Sequence, residues 1–368
     1  MMIAPSRQLS VLHVDSGQEW QSVRDQVRLL VEGLRAEPRV RQVVATLGTS
    51  RLAAECDALG VPVIPLPRSP GSDRMALQQL ARSVRGHWDV FHAHDSTALA
   101  KLLYIQALDG SNTPLIASRR YGSVPSAPDR WRRAAAIIAA SGPARDALVR
   151  SGVEPGRVVV IPNGIDPEAV VDEQTGALRE AIGARPEHRL VASFTALSRH
   201  RDHSTLMRAA ALLADECPDA RFAVLGRGPE RPRVEDQVER HGLEGRVCLP
   251  GYLPDARRYM GDLDVFVMPA FDEELTSACL EAMVAGVPVV MPTVGPVEES
   301  DTRPGPVRVP SGDPQALAST ISRLLTDREF HRASARRGWA FAHRHGPAAL
   351  VARTLGVYGQ VVRRRRVV

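Results

Sequence analysis

The stretch Asp264-Val265-Phe266-Val267-Met268-Pro269 opens a pattern that extends to Pro292 and predicts the fold. A short apolar run ends at a proline, an amphipathic segment follows at Ser277–Val284, and a second apolar run covers Val287–Met291. This order is that of strand, helix and strand, because parallel strands buried on both faces are continuously apolar and helices connect them. The same order recurs along the chain, with a further strand predicted at Val61–Pro65, for example. This recurrence favours a parallel sheet covered by helices on both faces.

The pattern occurs in two blocks, and the chain breakers Pro162-Asn163-Gly164-Ile165-Asp166-Pro167 separate them. We therefore expect an α/β protein with two Rossmann-like, doubly wound domains that face each other across a cleft. Two further helical segments, Glu329–His345 and Ala348–Val362, offer a helix that crosses back to the first domain. The expected domains are residues 1–166 and 167–345, followed by a crossover helix and an arginine-rich tail at 346–368.

Composition and charge exclude several classes of protein. The 368 residues include 47 basic and 42 acidic side chains, and Lys101 is the single lysine among the basic ones. Four units of the net charge of +5 come from Arg363–Arg366, so the rest of the chain is nearly neutral and no nucleic-acid partner is expected. The longest apolar run, Ala134–Ala140, is far shorter than the roughly 20 residues of a transmembrane helix. The N-terminal segment has no signal-like stretch, and four widely spaced cysteines are typical of reduced cytoplasmic thiols.

The acidic loop and the helix in the opening stretch form the first candidate binding site. The amides of Leu275, Thr276 and Ser277 lie at the helix N-terminus, where N–H groups and the helix dipole favour an anion such as a diphosphate. Glu273 in the loop and Glu281, eight residues later, offer carboxylates to sugar or ribose hydroxyls. The alternative is that Glu273 and Glu274 complement the helix dipole and Glu281 is a solvated helix residue.

Two loops at predicted strand ends offer phosphate contacts. Gly226 and Gly228 lie between a strand and a helix and would let the backbone approach a nucleotide closely, although a plain turn explains them equally well. Arg199 and Arg201 follow the first strand of the second domain, where guanidinium groups can clamp a phosphate. A solvated basic loop is the alternative for the two arginines.

The first domain offers a histidine pair at a strand end. In Phe91-His92-Ala93-His94-Asp95 the two-residue period of a strand places His92 and His94 on one face. A metal site needs a third ligand and the sequence shows none, so a buried, hydrogen-bonded His92 and a substrate-contacting His94 are favoured. The loop after the first strand, which contains Gly17, has the usual ligand-facing position of a doubly wound domain.

Together these motifs resemble glycosyltransferase family 4, a group of retaining, metal-independent enzymes with the GT-B fold. The most specific match joins Glu273 to Glu281-Ala282-Met283-Val284-Ala285-Gly286-Val287-Pro288-Val289-Val290, which is similar to the family signature with its two glutamates. The resemblance covers nearly the whole chain. Further matches are the domain junction Val160–Asp166, the glycine-containing segments Val224–Pro229 and Val247–Tyr252, and the His-Ala-His-Asp segment.

The resemblance implies that a sugar is transferred from a nucleotide-diphosphate-sugar with retention of anomeric configuration. The first domain would hold the acceptor and the second the nucleotide-sugar, which is a co-substrate; neither a metal nor another cofactor is expected. The implied catalytic residues are His94 near the donor sugar and leaving phosphate, Glu273 on the sugar hydroxyls, and Arg201 on the diphosphate. The implied donor-binding residues are Gly17, Arg199, Gly226, Gly228, Leu275, Thr276, Ser277, Glu281 (on the ribose) and Glu299.

Departures from the family pattern keep two alternatives open. Val23, Glu274, Thr276 and Pro296 stand where the family has glycine. One alternative is a catalytically impaired family-4-like subunit that acts as a binding or partner protein. The other is a GT-B enzyme without transfer activity, such as a sugar-nucleotide 2-epimerase, which these motifs do not favour.

The arginine run Arg363–Arg366 suits an anionic membrane surface, where each charge contributes about 1 kcal/mol. A solvated run of charge is the alternative. We therefore expect a cytoplasmic protein, peripheral on the inner face of the cell membrane, whose acceptor is a cell-envelope glycan or a lipid-linked sugar.

Overall fold

The computed structural model describes residues 8–16, 21–66, 74–84, 86–120, 127–170, 174–253, 255–271, 275–293 and 303–367. The chain forms two compact units. Unit 1 consists of residues 1–164 and 347–368, and unit 2 consists of residues 165–346. Each unit contains one parallel sheet flanked by helices, which confirms the α/β class and the two doubly wound sheets expected from the sequence.

Unit 1 has the strand order β3-β2-β1-β4-β5-β6-β7. Its strands are β1 (Leu9–Val14), β2 (Val40–Leu47), β3 (Val63–Leu66), β4 (Val90–Ala93), β5 (Leu115–Arg119), β6 (Ala136–Ala139) and β7 (Val158–Val160). Its helices in this part of the chain are α1 (Gln21–Arg35), α2 (Arg51–Ala58), α3 (Arg74–Ser83), α4 (Ser96–Asp109), α5 (Pro128–Arg132) and α6 (Gly142–Arg150). The order reverses between β1 and β4, and this switch point is where doubly wound sheets bind their ligands.

Unit 2 has the strand order β10-β9-β8-β11-β12-β13, and its switch point lies between β8 and β11. Its strands are β8 (Arg189–Phe194), β9 (Ala220–Leu225), β10 (Val247–Gly251), β11 (Val265–Val267), β12 (Val289–Thr293) and β13 (Val307–Pro310). Its helices are α7 (Ala177–Ile182), α8 (His203–Leu212), α9 (Arg231–Arg240), α10 (Ser277–Val284), α11 (Pro314–Thr326) and α12 (Arg328–His343), with a 3-10 helix at Ala256–Asp262.

The last helix, α13 (Pro347–Val367), follows unit 2 in sequence but belongs to unit 1. Val357, Tyr358 and Val361 are buried in a core shared with β1, β4, β5 and α1. The helix lies so close to α1 that a Cβ added at Gly33 would be 2.5 Å from Val351 Cγ2. The predicted helix back to the first domain is therefore confirmed. Within the described ranges no helix has both the length and the apolar character required to cross a bilayer.

Two predicted strands begin later than expected, and both corrections have one cause. Val61 and Val287 each follow a glycine of positive φ, Gly60 (+67°) and Gly286 (+75°), that ends a helix. Their amides donate back to the helix carbonyls of Cys56 and Ala282, both at 2.9 Å. The first residue of each apolar run therefore belongs to the C-terminal cap of the preceding helix and not to the strand. As a result, β3 starts at Val63 and β12 at Val289.

The junction after β7 is fixed to unit 1 by a side-chain amide. Gln26 of α1, 2% exposed, accepts from the Gly164 amide at 2.7 Å and donates to the Gly164 carbonyl at 2.8 Å. A Cβ at Gly164 would lie 2.7 Å from Leu29 Cδ2. A larger residue at this position of the chain-breaker cluster would therefore have to displace the side chains of Leu29 and Leu350.

Candidate functional site

Three buried histidines lie at the switch point of unit 1. His13 of β1 pairs in register with His92 of β4, and His94 follows two residues later, so all three rings share one face of the sheet. The ring centroids of His92 and His94 are 4.1 Å apart, and those of His13 and His94 are 5.2 Å apart. One ring nitrogen from each histidine lies within 4.8 Å of the others. The third histidine that the sequence did not reveal is therefore present, supplied by the neighbouring strand.

Hydrogen bonds occupy four of the six ring nitrogens. His92 bonds the Tyr358 hydroxyl through Nδ1 at 2.6 Å and the Ser118 hydroxyl through Nε2 at 2.8 Å. His13 Nδ1 and His94 Nε2 are 3.0 Å apart. His13 Nε2 and His94 Nδ1 are buried with no hydrogen-bond partner in the part of the chain that the structure describes. His92 is thus buried and hydrogen-bonded, and His94 Nδ1 is buried without a partner among the described residues.

Burial keeps the three histidines neutral. Desolvation lowers the pKa of His13 to about 3, and it lowers the pKa values of His92 and His94 well below the usual range. The positive charge of Arg120 lowers the pKa values of His92 and His94 further. At neutral pH each ring therefore carries one N–H and one lone pair, and can act as a hydrogen-bond donor or acceptor but not as a cation.

Asp95 holds the loops around this cluster. Its carboxylate caps α4 by accepting from the Ala98 amide at 2.7 Å, and its other oxygen accepts from the Ser16 amide at 2.7 Å. The aspartate of the His-Ala-His-Asp segment therefore joins the end of β1 to the start of α4. Gly17, the next residue of the β1 loop, lies outside the described residues.

In unit 2 the two glycines after β9 let two loops touch through their backbones. A Cβ at Gly228 would lie 2.0 Å from the carbonyl oxygen of Leu197, and one at Gly226 would lie 1.9 Å from that of Thr195. Gly226 also has a φ of +149°, a backbone conformation that residues with a side chain rarely adopt. The Leu197 amide donates to the Arg227 carbonyl at 3.0 Å. Contact between loops within the protein is thus sufficient to require glycine at both positions.

The predicted phosphate arginines lie on the loop between β8 and α8. Arg199 is largely exposed and forms an ion pair with Glu230 at 3.1 Å. Arg201 lies against the end of β11, with its Nη1 3.7 Å from Met268 Sδ. The Asp202 amide donates to the Pro269 carbonyl at 3.2 Å, so this loop is held at the switch point. Arg201, rather than Arg199, therefore lies where a doubly wound sheet binds its ligand.

The three residues of the predicted anion site lie at the start of α10, and Leu275 precedes the N-cap. Thr276 is the N-cap: its hydroxyl accepts from the Cys279 amide at 3.4 Å, and Ser277 is the first helical residue. Glu281 is buried and forms an ion pair with Arg257 of the 3-10 helix at 2.9 Å. The interpretation of Glu281 as a solvated helix residue is therefore wrong.

Arg257 is a residue that sequence reasoning missed, because an arginine in a short irregular segment has no periodicity that marks it as buried or paired. Two of the residues that stand where the family has glycine have structural roles. Val23 is a core residue of α1, and Thr276 caps α10. Glu273, Glu274, Pro296 and Glu299 lie outside the described residues.

Comparison with known proteins assigns the chain to a family. A model described as Glycosyltransferase Family 4 matches residues 23–169, and one described as Glycosyl transferases group 1 matches residues 188–327. Together the two matches cover more than half of the chain. The chain belongs to glycosyltransferase family 4. The resemblance inferred from the motifs is thereby confirmed for both units.

Curated relatives match over shorter stretches. A 2-deoxystreptamine N-acetyl-D-glucosaminyltransferase of Streptomyces fradiae is 44% identical over 118 residues, which are 31% of this chain and 28% of that protein. The lipopolysaccharide core biosynthesis glycosyltransferase LpsE of Rhizobium meliloti is 31% identical over 135 residues, 36% of this chain and 38% of the relative. The matches thus span only about a third of the length of these relatives.

The fold matches solved structures over almost the whole chain. The Anabaena protein HepE, crystallised with UDP-glucose, superposes with a TM-score of 0.77 at 20% identity, covering 95% of this chain and all of that one. The predicted GT-B fold is therefore confirmed.

Proposed function

We propose that this protein is a retaining glycosyltransferase that moves a sugar from a nucleotide-diphosphate-sugar to an acceptor hydroxyl. The observation that carries the proposal is the match of both units to glycosyltransferase family models. The buried Glu281 of α10 and Arg201 in the loop after β8 add support, since they supply a carboxylate and a cation in unit 2. The UDP-glucose bound by HepE makes a uridine-diphosphate-sugar the first donor to examine.

In the proposed reaction the bond from the sugar C1 to the diphosphate oxygen breaks, and the acceptor oxygen bonds to C1 on the same face. The acceptor proton passes to the departing phosphate oxygen, so no metal and no further reactant are needed. The protein contributes position and charge: Arg201 and the N-terminal amides of α10 would stabilise the diphosphate, and Glu281 would hold the ribose. Glu273 and His94 would contact the donor sugar.

For the acceptor we propose a cell-envelope glycan or lipid-linked sugar, which the likeness to LpsE supports. A second candidate is an aminocyclitol, because a relative named for 2-deoxystreptamine has 44% identity over its matched segment. Radiolabelled donor offered separately to lipid-linked oligosaccharide and to 2-deoxystreptamine distinguishes them. If labelled product forms with only one of the two, the acceptor belongs to that chemical class.

Calorimetry with UDP-, GDP- and ADP-sugars tests the donor. We expect one of these nucleotides to bind, and Glu281→Gln to weaken the binding at least tenfold because the ribose loses a charged acceptor. Glu239→Gln, on the exposed side of α9, is the matched control and should bind as the wild type does. If none of these nucleotide-sugars binds, the proposed transfer activity must be abandoned.

We also propose that the protein is cytoplasmic and attaches to anionic membrane through the end of α13. Arg363, Arg364 and Arg365 are exposed there on consecutive helical positions. Sedimentation with phosphatidylglycerol vesicles should exceed sedimentation with phosphatidylcholine vesicles and should fall as salt rises. Replacing these three arginines with glutamine should abolish the difference; equal sedimentation of wild type with both vesicle types contradicts the proposal.

A further inference from the structure

The His13–His94 pair has a consequence for the proton on His94. The two rings share one hydrogen bond, at 3.0 Å between His13 Nδ1 and His94 Nε2. Each ring has its second nitrogen buried without a partner among the described residues. A buried polar atom without a partner is costly, and one next to a ligand-binding switch point is a natural contact for a ligand.

A metal ion does not account for this arrangement as well as hydrogen bonds do. His92 already bonds two hydroxyls, from Tyr358 and Ser118. The nitrogens of His13 and His94 that face each other are in direct hydrogen-bond contact. A bound ion would have to break the bond between His13 and His94, and its chelation by His92 would displace one of the two hydroxyls.

Because both rings are neutral, the shared bond couples their tautomers. If His13 donates from Nδ1, His94 Nε2 must be the acceptor, and the proton of His94 lies on Nδ1. If His94 donates from Nε2, its Nδ1 is a lone pair. The ligand of the proposed function distinguishes the two tautomers, because the oxygens of a diphosphate and the ring oxygen of a sugar are acceptors and need a donor.

We propose that His13 is a positioning residue that donates from Nδ1 to His94 Nε2 and so holds His94 as the Nδ1–H tautomer. His94 then presents a preoriented N–H to an oxygen of the sugar-diphosphate donor. The inference rests on the proposed function for the identity of that ligand. The tautomer itself is a property of unit 1 alone, since both histidines lie in that unit.

The test begins with the tautomer of the unliganded protein. In the wild type labelled with ¹⁵N-histidine, the His94 ring should show a protonated Nδ1 and an unprotonated Nε2. The signals are assigned with His94→Asn. In His13→Phe, which keeps a ring but has no donor, the His94 proton should move to Nε2. His241→Asn, an exposed site in unit 2, should change nothing at His94.

Three variants of His13 then link the tautomer to transfer. Asparagine places an amide nitrogen as many bonds from Cα as Nδ1, so His13→Asn should keep kcat within about threefold, whereas His13→Phe should lower kcat about 100-fold, the usual effect of losing one oriented donor. In His13→Gln the amide nitrogen is one bond further from Cα than Nδ1, so this variant should lower kcat as much as His13→Phe does. The KM for the acceptor should stay unchanged in all three.

A His94 proton on Nε2 in the wild type would overturn the inference, whatever the activity. So would metal bound at one equivalent whose removal shifts the three histidine signals, because the cluster would then be a metal site. Should no nucleotide-sugar bind although His94 carries its proton on Nδ1, the proposed function fails while the positioning role of His13 stands.

Discussion

At the switch point of unit 1, three histidine side chains pack together on one face of β1 and β4. In unit 2 the loops after β8 and β9 touch through their backbones with no side chain between them. The first arrangement depends on protons and hydroxyls, through His13, His92 and His94. The second depends on the absence of a Cβ at Gly226 and Gly228. The loops at the strand ends are therefore organised by side-chain hydrogen bonds in unit 1 and by close backbone contact in unit 2. Loss of a hydrogen bond should disturb the first, and an added Cβ should disturb the second.

The largest expected effect is in unit 2. Gly228→Ala would place a Cβ 2.0 Å from the Leu197 carbonyl oxygen, a backbone atom that cannot rotate away. We expect the free energy of unfolding to fall by more than about 3 kcal/mol, or the protein not to fold, because the loops must separate. Urea denaturation followed by circular dichroism measures it.

The matched control for that substitution is Gly356→Ala in α13, where an added Cβ meets nothing within 4 Å and the site is exposed. Alanine in a helix interior should stabilise by about 0.5–1 kcal/mol relative to glycine. A Gly228→Ala protein as stable as the wild type would show that the backbone contact is not a constraint.

Acid should destabilise unit 1 through its histidines. Their folded-state pKa values lie below 6.5, and that of His13 is about 3, so the unfolded state binds more protons between these limits. Stability is therefore complete above pH 6.5 and falls as pH decreases, by up to about 1.4 kcal/mol per pH unit for each histidine. The urea midpoint should be lower at pH 5.5 than at pH 7.5.

Substituting His94→Asn should reduce this pH dependence, whereas His241→Gln at an exposed site should leave it unchanged. Equal urea midpoints at the two pH values would mean that the cluster is not held neutral by burial.

A smaller effect is expected for the hydroxyl on α13. Tyr358→Phe removes the partner of His92 Nδ1, at 2.6 Å, and leaves that nitrogen buried. The free energy of unfolding should fall by about 1–3 kcal/mol. Tyr104→Phe on the half-buried face of α4 is the control and should be nearly neutral. A loss no greater than in the control would contradict a structural role for this bond.

The smallest effect is expected at Arg199, whose side chain is 87% exposed. Arg199→Ala should leave the urea midpoint unchanged, because exposed ion pairs contribute little and Arg233 also contacts Glu230 at 3.3 Å. Donor affinity, measured by calorimetry, is the sensitive quantity. If it falls for Arg199→Ala as much as for Arg201→Ala, Arg199 binds the donor despite its exposure.

The sequence predicted well what depends on local pattern. Helix α10 was expected at Ser277–Val284 and lies there, because an apolar period and two flanking strands define it. The starts of β3 and β12 were missed by two residues, since the bond from the residue after a terminal glycine back to the helix has no signature in hydropathy.

Contacts between distant strands were not predictable. The bond from His13 to His94 joins residues 81 positions apart, and the pair of Arg257 with Glu281 depends on how a 3-10 helix folds over α10. A histidine within an apolar strand was the one available signal for His13. The roles of Glu273, Glu299 and Gly17 stay predictions, because these residues lie outside the described ranges.

The placement of α13 also sets an order of events during synthesis. Its buried Tyr358 is 266 residues from the His92 that it contacts, and unit 2 lies between them in sequence. At about 5–20 residues per second, a ribosome needs roughly 10–40 s to make the intervening unit. During that interval the apolar faces of α1 and of the first sheet that α13 later buries remain exposed. The nascent chain therefore exposes this apolar surface of unit 1 until α13 has been made.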